Sequence, residues 1–140
     1  MRAWEKAEKK VARKIGGRVS PGSGNGYLEG DVKNDSLLVE MKETGRPYMT
    51  FHIDWLYKIL DEATRNRRIP VLGIEFGDGT QIFIVPNRYV DTSESKLHDW
   101  MNRSTTRIRP GDLEEEDVIH TVYGKWAIVS IDALRILSGE

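Results

Sequence analysis

Leu37-Leu38-Val39 is a continuous apolar run, and Glu40-Met41-Lys42 follows it without a break. A run this short and this apolar reads as a buried strand. Successive side chains of a strand point to opposite faces. Leu38, Glu40 and Lys42 therefore share one face, and Val39 and Met41 share the other. The chain must build a sheet covered on both sides, and one side must accept a carboxylate beside an ammonium. Buried charge is costly unless it is paired or bound to a metal.

The rest of the pattern supplies cover for such a sheet. Trp4, Ala7, Val11 and Ile15 recur at helical spacing, which predicts a helix over residues 3–15, stopped by Gly16-Gly17. A short strand is expected at Arg18-Val19. The stretch Pro21-Gly22-Ser23-Gly24-Asn25-Gly26 is too rich in glycine for a helix or regular strand. Strands over 27–32 and 37–42 flank the turn Lys33-Asn34-Asp35-Ser36. A second helix is expected over 51–66, with Leu56, Ile59, Leu60 and Ala63 on one face and Arg65, Arg67 and Arg68 at its end. Val71–Phe76 and Gln81–Val85 form a hairpin around Gly77-Asp78-Gly79.

Residues 91–117 are polar, with a short helix expected around Lys96–Met101. Glu114-Glu115-Glu116-Asp117 reads as a solvated acidic turn. Val118–Tyr123 and Trp126–Ile131 are expected to pair around Gly124-Lys125, and Asp132–Leu137 to close as a short helix. This order predicts an α/β fold of the α+β type, a mixed central sheet flanked by helices.

A chain of 140 residues with 39 % hydrophobic residues is enough for one core. The reading is one domain, with a core over about residues 3–90 and a C-terminal extension over about 91–140. No run of about 18 apolar residues marks a membrane span. The first residues lack the apolar core of a signal peptide. Cysteine is absent, which excludes disulfides and thiolate metal sites. A cytoplasmic protein is the expectation. Net charge is -1, but residues 1–70 hold 14 Lys/Arg against 10 Asp/Glu, and residues 71–140 hold 7 against 12. The basic half suits phosphates; chance asymmetry accounts for it equally well.

The chemistry concentrates in Gly30-Asp31-Val32 and Val39-Glu40-Met41-Lys42. If the two strands pair antiparallel through the short turn, Asp31 approaches Glu40. Two carboxylates this close repel, and a divalent cation relieves the repulsion. Hard oxygen donors without nearby His or Cys suit magnesium or manganese rather than zinc. Such an ion polarises a phosphoryl oxygen and lowers the pKa of a bound water. Lys42 would then orient that water or stabilise transition-state charge. The alternative is a salt bridge, Glu40–Lys42 or Asp31–Lys42, at a sheet edge.

Gly30-Asp31 … Glu40-Met41-Lys42 resembles the core motif of the PD-(D/E)xK nuclease superfamily, with glycine where the motif often has proline. The local similarity is closest to archaeal-type Holliday junction resolvases. In that family a helix with a glutamate precedes a Ser-Gly loop, the Asp strand, the Glu-x-Lys strand and a further helix. Here Glu8, Arg18-Val19-Ser20-Pro21-Gly22-Ser23-Gly24, Asp31 and Glu40-Met41-Lys42 stand in that order. The resemblance covers about residues 5–86, and residues beyond 90 have no counterpart in it. It implies a restriction-endonuclease-like core and a structure-selective endodeoxyribonuclease that leaves a 5′-phosphate; the alternatives are another nuclease on the same fold (restriction-like, repair or replication) and a non-catalytic DNA-binding module. It also implies magnesium, replaceable by manganese, on Asp31 and Glu40, with the Met41 carbonyl as a further ligand and Glu8 completing the site.

Helix geometry bears on Glu8 separately. At about 100° per residue it lies on the flank of the apolar stripe, able to reach inward, while Glu5 points further away. The plainer alternative is a boundary residue paired with a neighbouring lysine. Ser20, Ser23 and Asn25, with the glycine amides of the loop, are able to hydrogen-bond a phosphate; a plain flexible loop fits as well. Arg18 and Arg46 are candidate phosphate contacts. Arg103, Arg107 and Arg109 form a second basic segment, or a solvated loop. His52, His98 and His120 show no metal spacing; His52 is expected at a helix start, with a place near the site as the alternative. Trp4, Trp55, Trp100 and Trp126 read as core or interface anchors. Two like strands of a branched junction call for two active sites, so a homodimer on DNA is expected. The tryptophans, an exposed sheet edge and the hairpin 118–131 are its interface material.

Overall fold

A computed structural model describes residues 36–139, Val11, and the backbone of residues 18–19 and 30–33. The helix expected over 3–15 therefore lies outside the described residues except for Val11, which is helical and buried. The glycine-rich loop and Trp4 lie outside them as well.

Among the described residues, and beyond the helical Val11, ten strands and two α-helices follow in order. They are β1 (Arg18–Val19), β2 (Gly30–Lys33), β3 (Leu37–Glu43), β4 (Met49–His52), α1 (Asp54–Arg65), β5 (Ile69–Glu75), β6 (Gln81–Pro86), β7 (Leu97–Asp99), β8 (Thr105–Ile108), β9 (Val118–Thr121), β10 (Gly124–Val129) and α2 (Ile131–Leu137). Eight strands form one mixed sheet in the order β1-β2-β3-β5-β6-β10-β9-β7, and β4 pairs with β8 as a separate ribbon. The chain has the mixed central sheet and flanking helices that its element order predicts. β3 and β5 run parallel, joined by β4 and α1, as do β7 and β9; the remaining neighbours are antiparallel. Among the described residues no helix is long and apolar enough to cross a membrane.

The pleat of the sheet separates two cores. Leu38, Leu72, Ile74, Ile84, Trp126 and Ile128 face Leu56, Ile59 and Ala63 of α1, together with Met49, Phe51 and Ile108 of the ribbon. Leu37, Val39, Met41, Val71, Phe83 and Ala127 form the opposite core with Val11 and Leu134. Ser130 caps α2, its Oγ accepting from the Ala133 amide at 3.1 Å.

Residues after 90 are not an appendage. β7, β9 and β10 extend the same sheet; Ile119 of β9 with Trp126 and Ile128 of β10 enter one core, and Ala127 and Val129 of β10 the other. The hairpin 118–131 lies within the sheet, β10 between β6 and β9, and Trp100 and Trp126 are buried. The two tryptophans are core residues, while the hairpin keeps its turn exposed at Val122.

Several local expectations are corrected. Residues 49–52 are a strand rather than the start of the helix, with Met49 and Phe51 buried and Thr50 and His52 exposed. That is the two-residue period of a strand, but its partner β8 lies far along the chain. Lys96–Met101 is not helical: Leu97–Asp99 pairs in parallel with β9. Pairing at this separation leaves no local signature, so the helical reading had nothing to oppose it. The last hairpin turns at Val122-Tyr123, because Gly124 pairs with Thr121 and takes a positive φ of 97°. Asp117 does not belong to a solvated turn. It is 4 % exposed, and its carboxylate binds the His98 ring nitrogen at 2.9 Å and accepts from the Glu114 amide at 3.1 Å.

The loop between β3 and β4 is pinned at Gly77. The Gly77 amide donates to the Arg46 carbonyl at 3.4 Å, and a Cβ there would stand 2.6 Å from the Gly45 carbonyl oxygen. The obstacle is backbone, so relief requires the loop to move. Gly77→Ala is expected to lower stability by about 1–3 kcal/mol in chemical denaturation. An unchanged denaturation midpoint would contradict this close packing.

Candidate active site

Glu40 and Lys42 leave β3 on the face covered by α1, beyond Leu38. The Lys42 ammonium lies 3.2 Å from Glu40 Oε1, with the two side chains only 8 % and 10 % exposed. The same ammonium stands over the Trp55 ring, 4.7 Å from its centroid. Trp55 is the second residue of α1. Its ring is wedged between Phe51 at 5.3 Å and His52 at 5.1 Å, centroid to centroid. Lys42 is thus fixed by a carboxylate on one side and an aromatic face on another. Such a cation–π contact contributes about 1–2 kcal/mol when desolvated.

Across the ladder, Asp31 of β2 occupies the register position opposite Glu40, and Gly30 stands opposite Met41. Paired positions of an antiparallel ladder lie on the same face. The donor chemistry fits a divalent cation: carboxylate oxygen from Glu40, a carboxylate position at Asp31, and the Met41 carbonyl. Among the described residues no group of three His, Asp or Glu side chains gathers as a metal cluster. The Met41 side chain faces the opposite core, fully buried. It packs down on Gly73, where a Cβ would run into the Met41 sulfur and Phe83.

The other expected residues fall in different places. Glu8, Ser20, Ser23 and Asn25 lie outside the described residues. Arg18 lies on the edge strand β1, opposite Lys33. Arg46 is exposed four residues beyond Lys42 and donates to the Tyr48 hydroxyl at 3.0 Å. That hydrogen bond and the charge of Arg46 hold the Tyr48 phenol below its usual range, with Arg107 adding to the effect. Glu43 ends β3 on the other face, level with Glu75 of β5. Burial pushes its carboxyl above the usual range, and the charge of Glu75 adds to the shift.

Sequence reasoning missed Trp55 and Tyr48. Trp55 reads as one more core aromatic, and nothing in its spacing says that it lies beneath Lys42. His52 ends β4 instead of opening the helix, which sets its ring against Trp55. No family model and no curated protein matches the chain.

Desolvating two charges costs several kcal/mol per ion, so a buried pair is a poor stabiliser compared with apolar residues of similar shape. Glu40→Gln, which removes the carboxylate charge 3.2 Å from the buried ammonium, is expected to cost about 3 kcal/mol. The double variant Glu40→Leu/Lys42→Met is expected to match or exceed the parent chain in denaturant. A double variant less stable than either single one would make the pair structural.

Proposed function

We propose that Asp31, Glu40 and Lys42 form a phosphodiester-hydrolysing site, and that the chain is a metal-dependent DNA endonuclease. Its particular form, on this reading, is a structure-selective endodeoxyribonuclease of the Holliday junction resolvase type, acting on branched DNA in the cytoplasm. The observation that carries the proposal is the buried Glu40–Lys42 pair on a strand whose ladder partner at Glu40 is Asp31. An ion pair costly to bury, opposite a second carboxylate position, is better explained by chemistry than by stability.

Asp31, Glu40 and the Met41 carbonyl would hold magnesium, with manganese as substitute, and Glu8 would complete the site. Bound there, the ion supplies Lewis acidity at a phosphoryl oxygen and a water of lowered pKa. The protein's own part is positional. Glu40 and Trp55 hold the Lys42 ammonium still, so that its charge meets the negative charge growing on the phosphate without reorganisation. Arg18, Arg46, Ser20, Ser23 and Asn25 are the proposed phosphate contacts.

A panel of four-way junction, flap, duplex and single-stranded DNA with magnesium tests both levels. Lys42→Ala is expected to abolish cleavage while leaving magnesium affinity, read by calorimetry, largely intact. Asp31→Asn is expected to lose both. Full magnesium affinity in Asp31→Asn would overturn the ligand assignment, and cleavage indifferent to branching would replace the resolvase with a simpler nuclease.

Resolving a junction needs two cuts in strands of like polarity, and two copies related by a two-fold axis match that symmetry. The chain is therefore expected to sediment as a homodimer at micromolar concentration. A species that stays monomeric with junction DNA bound would remove the resolvase form and leave the metal site standing.

A further inference from the structure

The β4–β8 ribbon gathers charge that the sequence scatters. Its register sets Thr50 opposite Arg107 and His52 opposite Thr105. Met49, Phe51 and Ile108 point into the core, while Thr50, His52, Thr105 and Arg107 are exposed. Residues 44–52 and 103–109, the ribbon with its flanks, contain Arg46, Arg103, Arg107 and Arg109 and no Asp or Glu. In a chain of net charge -1 this is a concentrated positive face.

Two of these arginines converge. Arg46 donates to the Tyr48 hydroxyl at 3.0 Å, and the Arg107 guanidinium carbon lies 4.1 Å from the centroid of the same ring. Like charges drawn together repel, and the ring face and hydroxyl offset this only in part. Among the described residues neither guanidinium is ion-paired with a carboxylate. Guanidiniums present planar forks of donors that suit phosphate oxygens, so a phosphate at Tyr48 would relieve the repulsion. The ribbon is also continuous with the candidate active site. Arg46 follows Lys42 by four residues, and His52 at the end of β4 packs on Trp55, the ring beneath Lys42.

We propose that the exposed face of this ribbon is the surface on which a DNA arm docks by its phosphate backbone, with Arg46 and Arg107 on Tyr48 as the grip. The inference rests on the nuclease reading above and adds the substrate's path to it. Threonine hydroxyls and arginines contact phosphates without reading bases, so the surface grips DNA irrespective of sequence. Tyr48 is a positioning residue that holds both arginines in place.

The test compares the parent chain with Arg46→Ala/Arg107→Ala, with Thr50→Lys, and with Arg135→Ala on the opposite face. Affinity for duplex and four-way junction DNA is followed against potassium chloride, and magnesium-dependent cleavage against DNA concentration. All substituted side chains are exposed or half-exposed, and equal melting temperatures check that the fold is kept. The double variant is expected to lose about two units from the slope of log affinity against log salt, and roughly ten-fold or more in affinity. Its KM rises while kcat at saturating DNA is retained. Thr50→Lys adds about one unit of slope, and Arg135→Ala changes nothing.

A parent chain that cleaves DNA, with slope and KM unaltered in the double variant, overturns the docking surface and leaves the nuclease reading intact. A chain that binds DNA with the expected loss of slope yet cleaves nothing with magnesium or manganese supports the surface and overturns the nuclease. Absence of DNA binding in the parent chain overturns both.

Discussion

The alternation of side chains along β3 places two demands on the fold at once. Leu37, Val39 and Met41 need an apolar layer on one face, and Leu38 needs one on the other, where Glu40 and Lys42 follow it. The first demand is met by packing against β5 and β6 residues such as Val71 and Phe83, with Val11 and Leu134 above them. The second is met by α1 and the β4–β8 ribbon, whose apolar side chains close over Leu38 and Leu72. This cover lowers the effective dielectric around the charged pair. It strengthens the attraction between Glu40 and Lys42 and raises the cost of leaving either alone.

The helix and ribbon are therefore more than cover. Trp55 enters from the first turn of α1 and gives the ammonium an aromatic floor. The ring is itself fixed by Phe51 and His52, from alternate sides of β4. Phe51 also packs against Trp100, 5.4 Å between centroids, which ties the floor of the site to the segment between β7 and β8. Residues late in the chain thus help to set the position of a side chain at residue 42. A segment beyond the reach of the sequence resemblance contributes to the surroundings of the Glu40–Lys42 pair.

Burial and exposure divide the basic residues into two settings. Lys42 is held inside with a carboxylate partner and an aromatic neighbour. Arg46 and Arg107 lie outside, held by a tyrosine. A fixed ammonium suits charge that develops at one point, and exposed guanidiniums suit a flexible polyanion. The tight fit of Gly77 under Gly45 keeps the connection between the two short and its path defined.

The strands β2, β3, β5 and β6 and the helix α1 were legible in the sequence because their signals are local. Apolar runs, the Gly77-Asp78-Gly79 turn and the spacing of Leu56, Ile59 and Ala63 each act within a few residues. The shared face of Glu40 and Lys42, and Asp31 opposite Glu40, were legible for the same reason, since pleat and a short turn fix them. The sequence by itself thus determined a covered sheet with a charged pair on its β3 strand. Only the tertiary structure decided that Met49–His52 and Thr105–Ile108 are strands, that Asp117 is buried against His98, and that Leu97–Asp99 completes the sheet. It alone decided that Trp55 lies under Lys42 and that Arg46 and Arg107 meet on Tyr48. These depend on partners distant in the chain, and pairing across such distances is selected by the burial of the whole core, which no short window of residues encodes.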